Sequence, residues 1–588
     1  MSILSELSIR FGAAFEAIGL DASYGEVAVA RKPEFGDFQC NGALPSAKAA
    51  GRNPREIAQG VIDCVDGERL IGELSIAGPG FINIRVTNEA LADWLDKLHD
   101  DDRVLVPKVS DPLNLIVDYG GPNVAKSMHV GHLRSTIIGN SLARLASFVG
   151  HDVTTDTHFG DWGTQMGIVL MAVKDQHPDL PYFDTTFEGE YPTQSPVTLE
   201  DLQVIYPEAS QRNKTDADFT TAVAGATFEL QQGRRGYRAL WQHFVAVSLE
   251  SQKQDFHALG VDFDLWYAES TVHDRIQPMI DDLVARGLAR ESRGALVVDV
   301  AEESDKAEIP PLLLSKSNGA YLYTSTDIGT VAMRVEDLHV DEIWYVVDGR
   351  QALHFEQVFR AAIKGGILPG SVHVEHLGFG TMNGPDGKPF QTRKGGVIRL
   401  AELIGMVQDA AMNELDNRDI ASEYPEEERL EIARQVGLAA LKYGDLINQR
   451  MTNYIFDLDR FTSFEGKTGP YLQYGAVRMG SLLSKAAEQG LTAGSAAAPT
   501  VEADRRLTLQ MLRIPEIIER AYAIRAPNHI AEFAYELTAD VNRFWEACHV
   551  LAETDVNQQA SWLTSVEAAQ KSLSLLLDLL GIEIPSRM

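Results

Sequence analysis

Cysteine is scarce in this chain: Cys40, Cys64 and Cys548 are widely separated among 588 residues. No CxxC pair occurs, so neither a disulfide framework nor a cysteine zinc site is indicated, and three reduced thiols in a cytoplasmic protein are expected. Positive charge is also in short supply. Lys and Arg number 52 against 84 Asp and Glu, for a formal net charge of −32 at pH 7. Taken globally this speaks against a nucleic-acid partner, because phosphates need local lysine and arginine. A basic stripe can nevertheless sit on an acidic body, so the motifs have to decide. A run of ~18 apolar residues, which a membrane helix needs, is missing too. The opening MSILSELSIRFGAAFEAIGLD spaces its apolar residues as a helix does and carries glutamates, unlike the basic start and unbroken apolar stretch of a signal peptide. What remains is the composition of an ordinary soluble globular protein, long enough for roughly three or four domains of ~150 residues.

Along the chain, residues 1–100 read as an α+β domain. Phe35-Gly36-Asp37 makes a turn, Asn53 is placed to cap a helix with Pro54 at its first position, and GELSIAGPGFINIRVT gives two strands around Gly78-Pro79-Gly80. A helix then ends near Asp100, and the polar, proline-interrupted stretch 101–112 is a linker. Residues 113–400 alternate strands with helices: LNLIVDYG, HDVTTDTHFGD, LVVDVAEE, YLYTSTDIG, EIWYVVD and SVHVEHLGFG all read as strands, implying a mostly parallel α/β sheet. A polar, helical insertion at about 173–290 interrupts the alternation. From 401 to 588 apolar residues recur at three- and four-residue spacing, which predicts an all-helical domain with a loop at 491–501.

The chemistry concentrates in DYGGPNVAKSMHVGHLRSTIIGNSLARL, residues 118–145. A strand ends at Asp118, glycines and Pro122 turn the chain, and a helix runs from about Met128 to Val149 with His129 and His132 on its first turn. Three-residue spacing puts both imidazoles on one face, and Gly131 between them lets a ligand approach the backbone. Free amides and the positive dipole end of the helix suit a phosphate. By itself HxxH also fits a polar helix cap or half of a metal site.

The string His129-Val130-Gly131-His132 resembles the HIGH signature of class I aminoacyl-tRNA synthetases. With Pro122-Asn123-Val124-Ala125-Lys126 before it, the segment is similar to the arginyl enzymes in particular. HFGDWGTQMG, YLYTSTDIG, YVVDGRQALHFEQVF and GKPFQTRKGGVIRL follow in the family's order, the last in the place of the KMSKS loop. KPEFGDFQCNGA, YIFDLDRFTSFEGKTGPYLQYGAVR and DLLGIEIPSRM extend the likeness over essentially the whole chain.

The resemblance implies a Rossmann-type catalytic domain, an N-terminal α+β addition that reads the tRNA elbow and a helical anticodon-binding domain. It implies ATP-dependent formation of arginyl-adenylate and transfer to the terminal ribose of tRNA(Arg), with Mg2+ accompanying ATP and no dedicated protein metal cage. His129, Gly131 and His132 would contact ATP. Asp118, Asn123, His132, Tyr323, Asp327 and Gln351 would hold arginine. Asp327 is the first choice for the guanidinium, since a planar cation wants a carboxylate in bidentate geometry; a helix N-cap fits its local sequence equally. The family commonly has glutamate where this chain has Asp118. The KMSKS position reads Phe390-Gln391-Thr392-Arg393-Lys394, so Lys126 becomes the principal phosphate lysine, assisted by Thr392, Arg393 and Lys394. Leu314-Ser315-Lys316-Ser317 imitates KMSKS but precedes the amino-acid segment and reads as a hairpin turn around Ser317-Asn318-Gly319. Trp162 and Gln165 would line the floor of the site, or Trp162 would be plain core. Phe38, Asn41, Tyr454, Tyr471 and Tyr474 are the candidates for tRNA contact. A monomer without DNA or membrane partners is expected. A cysteinyl enzyme would need a Cys/His zinc pocket, a catalytically dead paralogue would not need the intact histidines, and a small nucleotidyltransferase would lack the terminal domains.

Overall fold

Side-chain caps mark where the first helices begin. Ser2 caps α1 (Ile3–Ala17), its hydroxyl accepting the Ser5 N–H at 3.2 Å. β1 (Val27–Val29), β2 (Phe38–Cys40) and α2 (Ala43–Ala50) follow. Asn53 then accepts the Arg55 N–H at 2.9 Å to open α3 (Pro54–Cys64), with Pro54 at its first position as the sequence expects. Each such cap contributes ~1 kcal/mol. β3 (Ile71–Ala77) and β4 (Phe81–Val86) form the hairpin around Gly78-Pro79-Gly80, and α4 (Asn88–Asp100) completes the segment. The sheet is antiparallel in the order β1-β2-β4-β3, with Phe38, Cys40, Ile82 and Ile84 buried on it.

The structure, a computed structural model, describes residues 2–588 apart from 31, 33–34, 316–320, 385–386 and 389–397. It divides into two units. One comprises Met1–Val109, Leu415–Ala439 and Ser463–Met588; the other comprises Ser110–Glu414 and Ala440–Thr462.

The second unit contains β5 (Asn114–Tyr119), α5 (Val130–Val149), β6 (Asp152–Asp156) and α6 (Thr164–Gln176). The insertion supplies α7 (Leu199–Thr215), α8 (Ala217–Gln231), α9 (Arg235–Ala258) and α10 (His273–Ala285). Next come β7 (Ala289–Ser292), β8 (Ala295–Val298), β9 (Leu312–Ser315), α11 (Tyr323–Asp337), β10 (Glu342–Val346), α12 (Ala352–Gly365), β11 (His373–His376) and β12 (Met382–Asn383). α13 (Leu400–Asn417) and α14 (Glu426–Leu446) each contribute residues to both units; β13 (Tyr454–Ile455) and α15 (Leu458–Thr462) belong to the second. The expected parallel sheet is present with order β11-β10-β5-β6, every pair parallel. β6 lies on one side of β5 and β10 on the other, so the chain reverses its winding between β5 and β10. In open α/β sheets that is where ligands bind. α5 covers the sheet closely: a Cβ added at Gly139 would lie 2.2 Å from the Tyr119 Cγ.

Three expectations are corrected. LVVDVAEE is not in the parallel sheet: β8 is the centre of a separate antiparallel sheet, β7-β8-β9. YLYTSTDIG is not a strand, because from Tyr323 it is the start of α11. Its β-branched and hydroxyl residues suggest a strand, but their hydroxyls are satisfied elsewhere: Thr324 donates to the Leu313 carbonyl, Ser325 to that of Leu314, and Thr326 to that of Tyr323 at 2.7 Å. Beyond residue 400 the chain is helical except for the two-residue β13, which pairs with β12. The proposed turn around Ser317-Asn318-Gly319 lies outside the described residues; its flanks meet, with Ser315 bridged to Tyr321.

In the first unit α16 (Gly469–Glu488), α17 (Glu502–Met511), α18 (Ile514–Ala523), α19 (Asn528–Ala547) and α20 (Val556–Leu579) bury apolar stripes such as Leu573, Leu576, Leu577 and Leu580. Arg505 of α17 forks both oxygens of Asp37 at 2.7 Å and also donates to the Val86 carbonyl at 3.1 Å. Both ions are largely buried, so removing either partner strands a charge at a cost of about 3–5 kcal/mol. Residues 491–500 form the expected loop between α16 and α17. Among the described residues no helix is long and apolar enough to cross a membrane.

Candidate active site

A cavity of about 350 Å³ opens at the C-terminal ends of β5 and β10. Of the residues singled out in the sequence, Asp118, Asn123, His129, Gly131, His132, Asp327 and Gln351 all line it.

His129 is not inside the first turn of α5 but is its N-cap, with extended backbone (φ −137°, ψ 172°). Its Nδ1 accepts the Gly131 N–H at 3.0 Å, while His132 Nδ1 accepts the His129 N–H at 3.1 Å. The rings lie 4.1 Å apart. Gly131 is required by this fold-back, since a Cβ there would stand 2.7 Å from His129 Cε1. With Nδ1 accepting, a neutral ring carries its proton on Nε2. Burial pushes His132 down to about 3; burial, then Lys126, lowers His129. Near neutral pH both rings are therefore uncharged Nε2–H donors, not cations, at a helix N-terminus whose dipole favours anions.

The turn between β5 and α5 is held from three sides. Ser135 Oγ accepts the Gly120 N–H at 2.8 Å and donates to the Val346 carbonyl at 2.6 Å, tying β5, α5 and β10 together. From α9, Gln252 donates to the Asn123 carbonyl at 3.0 Å and Ser248 Oγ accepts the Ala125 N–H at 2.9 Å. Gln165 donates to the Val124 carbonyl, so it supports the turn and does not face the cavity. Trp162 is core: it is 5% exposed, edge-on to Trp241 at 5.4 Å, and outside the cavity lining. Lys126 is also outside the lining, with Nζ 4.7 Å from the centre of the Tyr206 ring. Thr392, Arg393 and Lys394 lie outside the described residues. The segment that follows them meets the histidine motif directly: Val130 donates to the Ile398 carbonyl at 3.1 Å, and Leu400 to that of Met128 at 2.9 Å.

The far wall is acidic. Asp327 is the fifth residue of α11, whose N-cap is Leu322, so the N-cap reading of Asp327 is set aside. Its Oδ2 contacts His354 Nε2 at 2.7 Å, and the His354 ring lies 5.0 Å from that of Tyr323, which is exposed and outside the cavity lining. Glu269, not anticipated from the sequence, lines the same cavity. Burial, then the Asp327 charge, raises it to about 8. Asp118 is not a free carboxylate: its Oδ2 takes Arg334 Nη2 at 2.6 Å, and the same nitrogen reaches Asp156 Oδ2 at 2.6 Å. Burial opposes ionisation throughout this cluster. In Asp156 the adjacent His158 and Arg334 outweigh it and lower the carboxyl, whereas Asp118 stays raised. His158, with Nδ1 3.7 Å from Asp156, is raised against burial by that carboxylate.

The RNA candidates separate by exposure. Phe38 is 1% exposed and Tyr454 is 7% exposed with its hydroxyl on Asp445 at 2.9 Å, so neither ring can stack on a base. Tyr471 is half-buried beside Tyr535 and accepts from Asn542 at 2.8 Å. Asn41 and Tyr474 are exposed.

Residues 96–458 match the family model described as tRNA synthetases class I (R), catalytic domain. Residues 5–86 match the arginyl tRNA synthetase N terminal domain, and residues 472–588 the DALR anticodon binding domain. The chain is 47% identical to the arginine–tRNA ligase of Maricaulis maris and 46% identical to that of Hyphomonas neptunium, in each case over 100% of both proteins. The crystal structure of arginyl-tRNA synthetase from Plasmodium falciparum matches with a TM-score of 0.81 at 25% identity, covering 100% of this chain and 99% of that one. With the parallel sheet, the paired histidines at its switch point and these matches together, the chain belongs to the arginyl family of class I tRNA synthetases.

Proposed function

We propose that the protein is an arginine–tRNA ligase that activates L-arginine with ATP and esterifies it to the 3′-terminal ribose of tRNA(Arg). The observation that carries the reading is the juxtaposition in one cavity of a donor-rich helix N-terminus with the carboxylates Asp327 and Glu269. The first suits the phosphates of ATP, and the second suits a planar guanidinium, which takes paired acceptors.

In this mechanism the arginine carboxylate attacks the α-phosphorus of MgATP and pyrophosphate leaves. The Nε2–H groups of His129 and His132 donate to the phosphate oxygens that gain charge in the transition state. Lys126, with Arg393, Lys394 and Thr392, serves the β- and γ-phosphates, and Lys126 leaves its place over Tyr206 to do so. Asp118 and Asn123 hold the α-ammonium end. Tyr323 and Gln351 flank the guanidinium from the rim. A terminal hydroxyl of tRNA, initially the 2′-OH, then attacks the mixed anhydride, forming arginyl-tRNA and AMP. Residues 1–100 read the tRNA elbow, with Asn41 exposed there; 101–112 link to the catalytic 113–400; 401–588 read the anticodon. The protein acts as a cytoplasmic monomer.

The test is arginine-dependent exchange of labelled pyrophosphate into ATP, with and without tRNA. Exchange is expected with arginine only when tRNA is present, and Asp327→Asn is expected to raise the arginine KM by about a hundredfold, the worth of a charged hydrogen-bonded partner. Exchange supported by lysine or citrulline would contradict the guanidinium site. Strong exchange without RNA would remove the tRNA requirement alone.

A further inference from the structure

Arg334 is a fully buried cation placed behind the candidate site, not in it. It stands on α11 seven residues after Asp327, so Asp327, Thr330 and Arg334 share one face of the helix. The first two line the cavity. The third meets three neighbouring strands at one level. In the sheet register Tyr345, Asp118 and Asp156 are direct partners on β10, β5 and β6. Arg334 Nη2 donates to both carboxylates at 2.6 Å, and its guanidinium lies 5.3 Å from the centre of the Tyr345 ring. Asp156 is wholly buried, so of the two acids only Asp118 reaches the cavity. Two carboxylates on adjacent strands repel, and without a shared cation one of them would take up a proton or turn away.

We propose that Arg334 is a positioning residue for amino-acid activation: it fixes Asp118 through Oδ2 so that the remaining oxygen serves as the acceptor for the substrate's α-ammonium group. The inference rests on the reading of this cavity as an amino-acid site. It assigns Arg334 a role in substrate affinity, not in the chemical step, because it touches neither substrate nor reacting atoms.

The test is the variant Arg334→Lys, which keeps the charge but puts it on a shorter stem that cannot place a donor where Nη2 bridges the two carboxylates, assayed by exchange in the presence of tRNA beside a thermal melt. The arginine KM is expected to rise about tenfold, the equivalent of one weakened charged hydrogen bond, with the ATP KM and kcat within about twofold of wild type. In an Asp118→Asn background the same change should add nothing to the arginine KM. Equal losses for arginine and ATP with a lowered melting temperature, or effects that add in the double variant, would overturn the proposal and leave Arg334 a core tie. If Arg334→Lys does not fold, Asp156→Asn replaces it. The groups facing Asp118 are Arg334 from α11, Asp156 and His158 from β6 and the segment after it, and Tyr345 from β10. In a Glu269→Gln background, removing the Asp156 charge should let Asp118 stay ionised at lower pH, shifting the acid-side rise of the arginine KM downward; an unmoved profile there would overturn the proposal. Wild-type protein that fails to activate arginine would instead end the underlying reading of the cavity.

Discussion

Glu269 and Asp327 face one cavity, and burial together with the Asp327 charge raises Glu269 from 4.5 to about 8, so it holds its proton near neutral pH. Between those two values the folded chain binds a proton that the unfolded chain releases, so Glu269's contribution to stability is present at low pH and is lost as pH rises toward 8. On the proposed function, an arriving guanidinium would reverse the preference, because it would pair with the ionised carboxylate and expel the proton. The arginine KM is therefore expected to fall as pH rises from roughly 6.5 to 8.5, approaching tenfold per unit at the acid end. Glu269→Gln should flatten that profile; an unchanged slope in the variant would assign the proton to another group. His129 and His132 behave oppositely. Burial sets their neutral state, with each Nδ1 accepting a backbone N–H, so no gain in rate from protonating them is expected as pH falls.

At the level of elements, the β5–turn–α5 segment was legible in the sequence because its determinants are local: a strand end, glycines, Pro122 and two histidines three residues apart. What surrounds it was not. Glu269 and His158 join the site, and Arg334 stands behind it, only because distant strands and helices end together, and no spacing in the chain reports that. α9 carried a signal that could have been used: Phe244, Ser248, Gln252 and Phe256 recur every fourth residue, and two polar members on an otherwise apolar stripe mark a place where backbone groups need partners. α11 was misread because its Thr and Ser residues suit a strand until the carbonyls of β9 accept their hydroxyls. Ser135 offers the direct test of how the strand ends are tied. Ser135→Ala leaves the Gly120 N–H and the Val346 carbonyl without that partner, and is expected to cost about 1–3 kcal/mol in denaturant unfolding. An unchanged midpoint would show that the three-way tie contributes nothing. Gly139→Ala should be destabilising by a similar ~1–3 kcal/mol, since its methyl would enter the Tyr119 ring.

For the molecule as a whole, a net charge of −32 has to be reconciled with an RNA substrate. Affinity must come from local cations and from stacking, and will fall steeply with salt. Among the aromatic candidates Tyr474 keeps an exposed ring, 37% accessible, with Arg478 5.7 Å from its centre. Tyr474→Ala is expected to raise the tRNA KM about tenfold, the value of one lost base stack, with the ATP and arginine KM unchanged. A wild-type tRNA KM would remove it from the RNA surface. The central claim, that this chain joins arginine to tRNA through the paired histidines, is tested most directly by offering total tRNA, MgATP and each labelled amino acid in turn to wild type and His132→Ala. Charging with arginine alone, reduced by about two to three orders of magnitude in the variant, is the expected result. Charging with a different amino acid, or arginine charging that survives the substitution intact, would contradict it.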